Sequence, residues 1–497
     1  MEAVSIAVSA AFSYPILLAA FAGVAWGIIG GALPGISASI TMALLVPFTY
    51  GMDPTVAITL LASTYVGAEY GGSIPAILIR TPGTGAAAAT VMDGYAMHLK
   101  GKGNEALGIS LAAGVIGGLV GMIVLVTLTE PLASFALLFR PPSYFALAVL
   151  GLSIVAAVSE GSLTKGLMAA CLGLAIATIG SDPMTAIDRF TFGQIELYSG
   201  VRPILVLIGV FAVSEMLIQT TEPAWARTET NMRIKLPSFR LWRRIWPSVA
   251  VGSVAGSFEG VTPGAGGSVA SFLAYNEAKR WSRHKDEFGK GSPEGIAAPE
   301  AANNAVAATA LIPTLSFGIP GSNSTAVLLG GLLIHGIEPG PMLFVRHPDL
   351  VYGLFGGLFV ANLSQLILGF LLLGPCLWLV NRPKAYLMGF ILALVFTGVY
   401  TLDGSVFDLA IVLAGGLFGY ILRGLGFPIL PLVLGLVLGS LVEQNFRRAL
   451  QLSNGDLMTF VHDPAAMVLL FLSALIMGSS IVSMYFRKSS SESESVS

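Results

Sequence analysis

A chain of 497 residues that is 55% hydrophobic and only 11% charged, with mean hydropathy +0.80, has too little polar surface to be a water-soluble globule; soluble domains carry about 25% charged residues. Apolar runs of about 20 residues recur along its whole length, which predicts an all-α polytopic protein in a lipid bilayer. The net charge of −2 gives no electrostatic case for a nucleic-acid partner, and Cys171 and Cys376, far apart in apolar runs, have neither CxxC nor metal-ligand spacing.

Residues 1–12 contain no Lys or Arg, so the basic segment of a signal peptide is lacking and the first helix is expected to be retained. Spanning helices are expected to begin near Pro15, Ser37, Leu107, Tyr144, Leu163, Arg202, Trp246, Gly264, Glu300, Leu350, Tyr386, Val406, Pro428 and Ala465. The apolar stretches at 55–65, 72–90 and 318–335 are too short or too interrupted to span. They read as re-entrant or broken segments, whose backbone must be buried in protein or face a wet cavity. Arg227, Arg233, Lys235, Arg240, Arg243 and Arg244 form one basic loop, Lys279, Arg280, Arg283, Lys285 and Lys290 a second, and Arg487 with Lys488 a third cluster. The excess of cations places all three in the cytoplasm. Residues 489–497, rich in Ser and Glu, read as disordered.

The chain repeats itself. IlePro at 74–75 followed by ProGly at 82–83 recurs 238 residues later as IlePro at 312–313 and ProGly at 320–321. LeuProGly at 33–35 matches ThrProGly at 262–264; Arg140-Pro141 with Tyr144 matches Arg382-Pro383 with Tyr386; GluGlySer at 160–162 resembles AspGlySer at 403–405. Landmarks kept in one order predict two homologous halves. The predicted organisation is a first transmembrane repeat over 1–225, a basic cytoplasmic linker over 226–245, a second repeat over 246–455, a C-terminal transmembrane helix over 456–486 and a disordered tail over 487–497. The first half starts outside if the N-terminus is outside, and the second starts just after a cytoplasmic loop, so the repeats are expected to be inverted. Inverted repeats in transporters meet near the bilayer midplane at broken helices that hold substrate and coupling ion.

Four glycine-rich breaks carry the candidate chemistry: GALPGISAS at 31–39, YGGSIPAILIRTPGTGAAAAT at 70–90, GVTPGAGGS at 260–268 and LIPTLSFGIPGSNSTA at 311–326. Proline removes a backbone donor and glycine permits a tight turn, so the helix that resumes presents unpaired N–H groups and its positive dipole end to an anion. Pro34, Gly35, Pro82, Gly83, Pro263, Gly264, Pro320 and Gly321 are the expected backbone of a carboxylate site. Ser37, Thr84, Ser322 and Asn323 supply side-chain donors, and Glu300, Asn304, Ser324 and Thr325 are candidate ligands of a coupling ion. A branched side chain at Gly83 or Gly321 is expected to block the ligand and leave the chain folded. Ordinary kinks are the competing explanation of any single break. Arg80 is placed either on a substrate carboxylate or on Glu69; Asp93 is followed closely by Lys100 and Lys102, which favours interfacial placement or a structural pair over a functional role. No Walker A motif, HExxH spacing or GxSxG elbow is found, so neither an ATP motor nor an enzyme is expected.

These same breaks carry a resemblance. GALPGISASI, YGGSIPAILIRTPGTGAAAATVMDGYAM, GVTPGAGGSVASFLAYNEAKR and FGKGSPEGIAAPEAANNAVAATALIPTLSFGIPGSNSTAVLLGGLLIHGIEPGP resemble the large membrane subunit of the tripartite tricarboxylate transporters, over nearly the whole chain. The resemblance implies a bacterial inner-membrane permease with no cofactor besides a coupling ion, Na⁺ or H⁺. It implies two partners, a small four-helix membrane subunit and a periplasmic solute-binding protein that hands over a small carboxylate. The family usually has Asn where this chain has Arg80, and its TGAAAAT run is plainer than the family's, so a carboxylate other than citrate is open. An anion channel, or a permease without a binding protein, is the alternative; no ring of charges or multiply repeated filter sequence supports a channel.

Overall fold

The computed structural model describes residues 2–158, 163–223, 225, 231–264 and 266–494. Glu160, Gly161, Ser162, Arg227 and Ala265, which enter the patterns above, lie outside the described residues, as do 495–497. Among the described residues the chain is helical nearly throughout, with one short antiparallel pairing of Gly180–Ser181 with Asp188–Arg189. Nine of the described helices are long and apolar enough to cross a bilayer: Tyr14–Gly31, Gly103–Ala136, Pro141–Val158, Pro203–Thr221, Pro348–Val380, Lys384–Asp403, Val406–Gly424, Ile429–Leu452 and Pro464–Val482.

Several expected spans fall short of that. Ala38–Thr49, Leu163–Ala177, Gly266–Trp281 and Glu294–Thr309 have 12, 15, 16 and 16 residues, against about 20 needed for the hydrocarbon core. Conversely, the 55–65 stretch, read as broken, lies inside one continuous 18-residue helix, Pro54–Gly71. Thr59, Ser63, Thr64 and Glu69 make that helix look interrupted in sequence, yet all four are buried in protein. Protein rather than lipid is their solvent. At the C-terminus the last helix runs through Glu494, across most of the segment expected as a tail.

Two compact units form. The larger comprises Met1–Ser134 and Ile204–Tyr420, the smaller Phe135–Pro203 and Ile421–Ser497. In the larger unit, helix Tyr14–Gly31 packs on Pro54–Gly71 through bare backbone. A Cβ on Gly23, Gly27 or Gly31 would stand 2.4, 2.3 or 2.2 Å from the carbonyl oxygens of Leu60, Thr64 and Ala68. Helix Phe239–Val261 meets Glu294–Thr309 in the same way: Gly252 and Gly256 face the carbonyls of Ala298 and Ala302, each at 2.2 Å. Small residues at four-residue spacing allow this approach where apolar burial cannot drive helices together.

One end of the larger unit gathers the basic loops. The Asn104 side chain accepts from the Arg233 N–H and its carbonyl from the Lys235 N–H, both at 2.9 Å. Arg244 bridges Glu287 at 2.5 Å and Glu294 at 3.3 Å, and Lys100 donates to the Lys290 carbonyl. In the smaller unit, Arg447 donates to Asp182 at 2.6 Å and Arg189 holds Glu443 with two bonds of 2.6 and 3.2 Å, beside a cluster of Phe145, Phe446 and Phe460 rings.

Candidate functional site

The second break is built by a helix that stops, turns and restarts. Pro54–Gly71 halts at Gly72, and Ser73–Ile79 follows as a seven-residue helix capped by Arg80 in the left-handed region, φ 60°. Pro75 fits in that short helix because the N–H groups of a first turn have no intrahelical acceptor anyway. Thr81–Thr84 then runs back over the break, with the Gly83 N–H donating to the Gly72 carbonyl at 3.0 Å. The fourth break has the same form 238 residues on: Glu294–Thr309 halts at Ala310, Leu311–Phe317 follows, and Gly318 caps it at φ 73°. The bonds match as well, Thr81 N–H to the Pro75 carbonyl at 3.4 Å and Ile319 N–H to the Pro313 carbonyl at 3.3 Å.

The breaks approach one another within the larger unit. The Gly264 N–H donates to the Gly321 carbonyl at 3.1 Å, joining the third to the fourth. A Cβ on Gly85 would lie 2.7 Å from Ser268 Oγ, and one on Gly267 2.8 Å from the Ala86 Cβ, which joins the second to the third. Tyr65, on the helix before the second break, shares a 3.2 Å hydrogen bond with Ser322 in the fourth. The first break is tied in through Gly31, whose carbonyl abuts Gly83. The helices that resume also pair: Ala38–Thr49 with Asn323–Ile334, and Ala88–Leu99 with Gly266–Trp281.

The expected site residues divide by environment. Pro34, Gly83, Thr84, Pro320, Gly321, Ser322 and Ser324 are buried; Gly35, Ser37, Pro82, Pro263 and Gly264 are half-buried; Arg80 and Asn323 are exposed. Ser37 and Ser322 are helix N-caps, and Ser322 and Thr325 satisfy each other's backbone N–H in a capping box. Gly35, at φ 80°, rests on the Gln219 amide. Glu300 is fully buried and its carboxylate accepts from Ser73 at 2.6 Å, Ser110 at 2.8 Å and Thr90. Asn304 donates to the Glu300 carbonyl at 3.1 Å and accepts from Gln365 at 3.2 Å.

Asp93 is fully buried, but its partners are not Lys100 and Lys102. It accepts from the Tyr275 hydroxyl at 2.8 Å and from the N–H groups of Gly289, Gly291 and Ser292 at 3.1, 2.7 and 2.7 Å. It is the anchor of the second basic loop. Arg80 and Glu69 are not paired: Arg80 is exposed, and the buried Glu69 Oε2 has no hydrogen-bond partner among the described residues. Ser73, Thr90, Ser110, Tyr65 and Gln365 line this region without having been singled out by spacing; a lone hydroxyl in an apolar run is too common to mark a site.

Residues 17–434 match the family described as "Tripartite tricarboxylate transporter TctA family". The chain is 39% identical over 452 residues, 90% of each protein, to the "Uncharacterized 52.8 kDa protein in TAR-I ttuC' 3'region" of Agrobacterium vitis. It is 39% identical over 215 residues to the "Uncharacterized protein in TAR-II ttuC' 3'region" of the same organism, covering 43% of this chain and 89% of that one.

Proposed function

Because this chain belongs to the tripartite tricarboxylate transporter TctA family, we propose that it is an ion-gradient-driven importer of a small carboxylate, delivered by a periplasmic binding protein. The chain is a multi-pass membrane component of a tripartite transport system, in a family of transporters rather than enzymes. Residence in the bacterial inner membrane, the small four-helix partner and alternating access are parts of the proposed reading. So is the inversion of the two repeats about an axis in the membrane plane.

The observation that supports it most is the gathering of the four Pro-Gly breaks, at 34–35, 82–83, 263–264 and 320–321, around helices that resume in pairs. Helices restarted at these breaks would offer N–H groups and the positive end of the peptide dipole, which suits a carboxylate. The test is uptake in vesicles containing this chain, the small subunit and the binding protein. Concentrative uptake of a labelled di- or tricarboxylate, abolished by dissipating the ion gradient and much reduced without the binding protein, is expected. Uptake that only equilibrates, or that runs fully with this chain alone at micromolar substrate, refutes the reading.

A further inference from the structure

We infer that the groove between helices Phe239–Val261 and Gly266–Trp281, at the basic end of the larger unit, binds an anionic phospholipid. Its phosphate would lie on Arg240, Arg243 and Arg283, and its acyl chains along the apolar stripe of the first helix. A cavity of about 710 Å³ opens there. Arg240, Arg243 and Val251 line it from the first helix, Ala278, Trp281 and Arg283 from the second helix and the loop after it. The buried Ser248 also lines it, and no residue of the four breaks does.

The cavity carries uncompensated positive charge. Its one carboxylate, Glu294, is already engaged by Arg244 at 3.3 Å, by His284 at 3.2 Å and by the Ser282 hydroxyl. The other branch of Arg244 goes to Glu287. Arg240, Arg243 and Arg283 are exposed and have no ion pair among the described residues. Arg240 and Arg243 also stand in the first turns of their helix, where the dipole opposes cations, and no acidic residue occupies its first turn. An anion in the groove relieves both conditions.

The shape of the groove favours a lipid over a soluble anion. Positions 240, 243, 247, 251, 254 and 258, three or four residues apart, fall on one face of the first helix. That face begins with two arginines, continues through Pro247 and Val251 in the cavity, and ends in Val254 and Phe258, 69% and 71% exposed. A free phosphate would use only the arginines; an anionic amphiphile uses the whole face. Trp246 and Trp281, both exposed, stand near the charged end, as tryptophans do at a membrane–water interface. The planar fork of arginine matches phosphate oxygens, and basic pockets between membrane helices hold anionic headgroups.

The test is binding of phosphatidylglycerol to the purified full-length chain in detergent, read by native mass spectrometry, against phosphatidylethanolamine with the same acyl chains. The wild type is expected to bind phosphatidylglycerol about tenfold or more tighter, the effect expected of two or more cations on one headgroup. The double variant Arg243→Gln/Arg283→Gln should bind both lipids equally. Lys279→Gln/Lys285→Gln removes two charges from exposed positions at the same end, outside the cavity, and should keep the preference. Inorganic phosphate in large excess should not displace the lipid. Equal binding of the two lipids by the wild type overturns the proposal and leaves the groove to a protein partner. So does an equal loss in both double variants, which would reduce the effect to overall charge. Displacement by inorganic phosphate also overturns it, by giving the arginines to a soluble anion. If the arginine variant does not elute as a folded protein, the lipid preference and the phosphate competition of the wild type decide.

Discussion

Gly83 lies so close to Gly31 that a Cβ at position 83 would stand 1.8 Å from the Gly31 carbonyl oxygen. Gly31 is itself pressed on Ala68, so the glycines form one stack of backbone at the second break. The consequence differs from the expectation drawn from sequence, that a branched residue here would obstruct the ligand alone.

Gly83→Val is therefore predicted to reduce the yield of folded, inserted protein, because the obstacle is main chain and cannot rotate away. Gly321→Val should be milder, its Cβ meeting the Ala310 carbonyl at 2.8 Å. Gly389, on a helix with no atom near a built Cβ, is the control: Gly389→Ala should be neutral or stabilising by about 0.5–1 kcal/mol. Size-exclusion profiles and melting of the three variants in detergent check the ranking. A Gly83→Val protein as abundant and stable as the wild type would contradict it.

The Glu300 carboxylate should matter to stability before it matters to transport. Ser73→Ala or Ser110→Ala removes one hydrogen-bond partner of a fully buried carboxyl group and is predicted to cost about 1–3 kcal/mol. The cost should appear as a lower melting temperature without substrate. Melting indistinguishable from the wild type in both variants would mean that the hydroxyls do not hold this carboxylate.

Topology follows from the gathered loops. Single cysteines at Arg243 and Lys290, in a Cys171→Ser background since Cys171 is exposed, should react with an impermeant thiol reagent only after the cytoplasmic face is opened. Labelling of either site in intact cells would reverse the orientation and with it the case for inverted halves.

Asp182 makes a pH prediction outside the spanning helices. The Arg447 hydrogen bond, with the Met184 and Thr185 N–H groups, holds its carboxyl well below the usual carboxylate range. A lowered folded value favours the ionised form, so the stabilisation is present above the unfolded value of about 4 and is lost as pH falls below it. The melting temperature of the wild type should exceed that of Asp182→Asn at neutral pH, and the gap should narrow below about pH 4. A gap that does not change with pH would argue against the ion pair.

What was legible in the sequence, and what was not, has a physical pattern. Pro and Gly act locally, so the breaks at 82–83 and 320–321 could be found and aligned from spacing alone. The unbroken Pro54–Gly71 helix could not, because Thr59, Ser63, Thr64 and Glu69 look like an interruption until their burial against protein is known. The partners of Asp93 are hidden for a related reason: Lys100 and Lys102 are near in sequence, but the N–H groups that bind it come from residues 289–292, on a distant stretch of chain. Glu69 and Glu300 could be noted as costly in a membrane; that one is saturated with hydroxyls and the other leaves an oxygen unpaired appears only in three dimensions.

Arg80 supplies the sharpest test of the anion site. It caps its helix at φ 60°, where the matching position in the second half is Gly318 at φ 73°. A left-handed conformation costs a non-glycine residue about 1–2 kcal/mol, so Arg80→Gly should leave the fold intact and raise stability by up to about 1 kcal/mol. The exposed guanidinium, unpaired with Glu69, is free to form the two-pronged contact that carboxylates accept. If it meets the substrate, Arg80→Gly should melt higher and transport worse, with the loss seen as a raised KM for uptake. Arg80→Lys keeps the charge but not the fork, so it should fall between the two in KM while gaining no stability. The combination that removes Arg80 from the site is an Arg80→Gly protein that is more stable and takes up every tested carboxylate with wild-type KM. The backbone would then be keeping an arginine at a glycine position for a reason other than the anion.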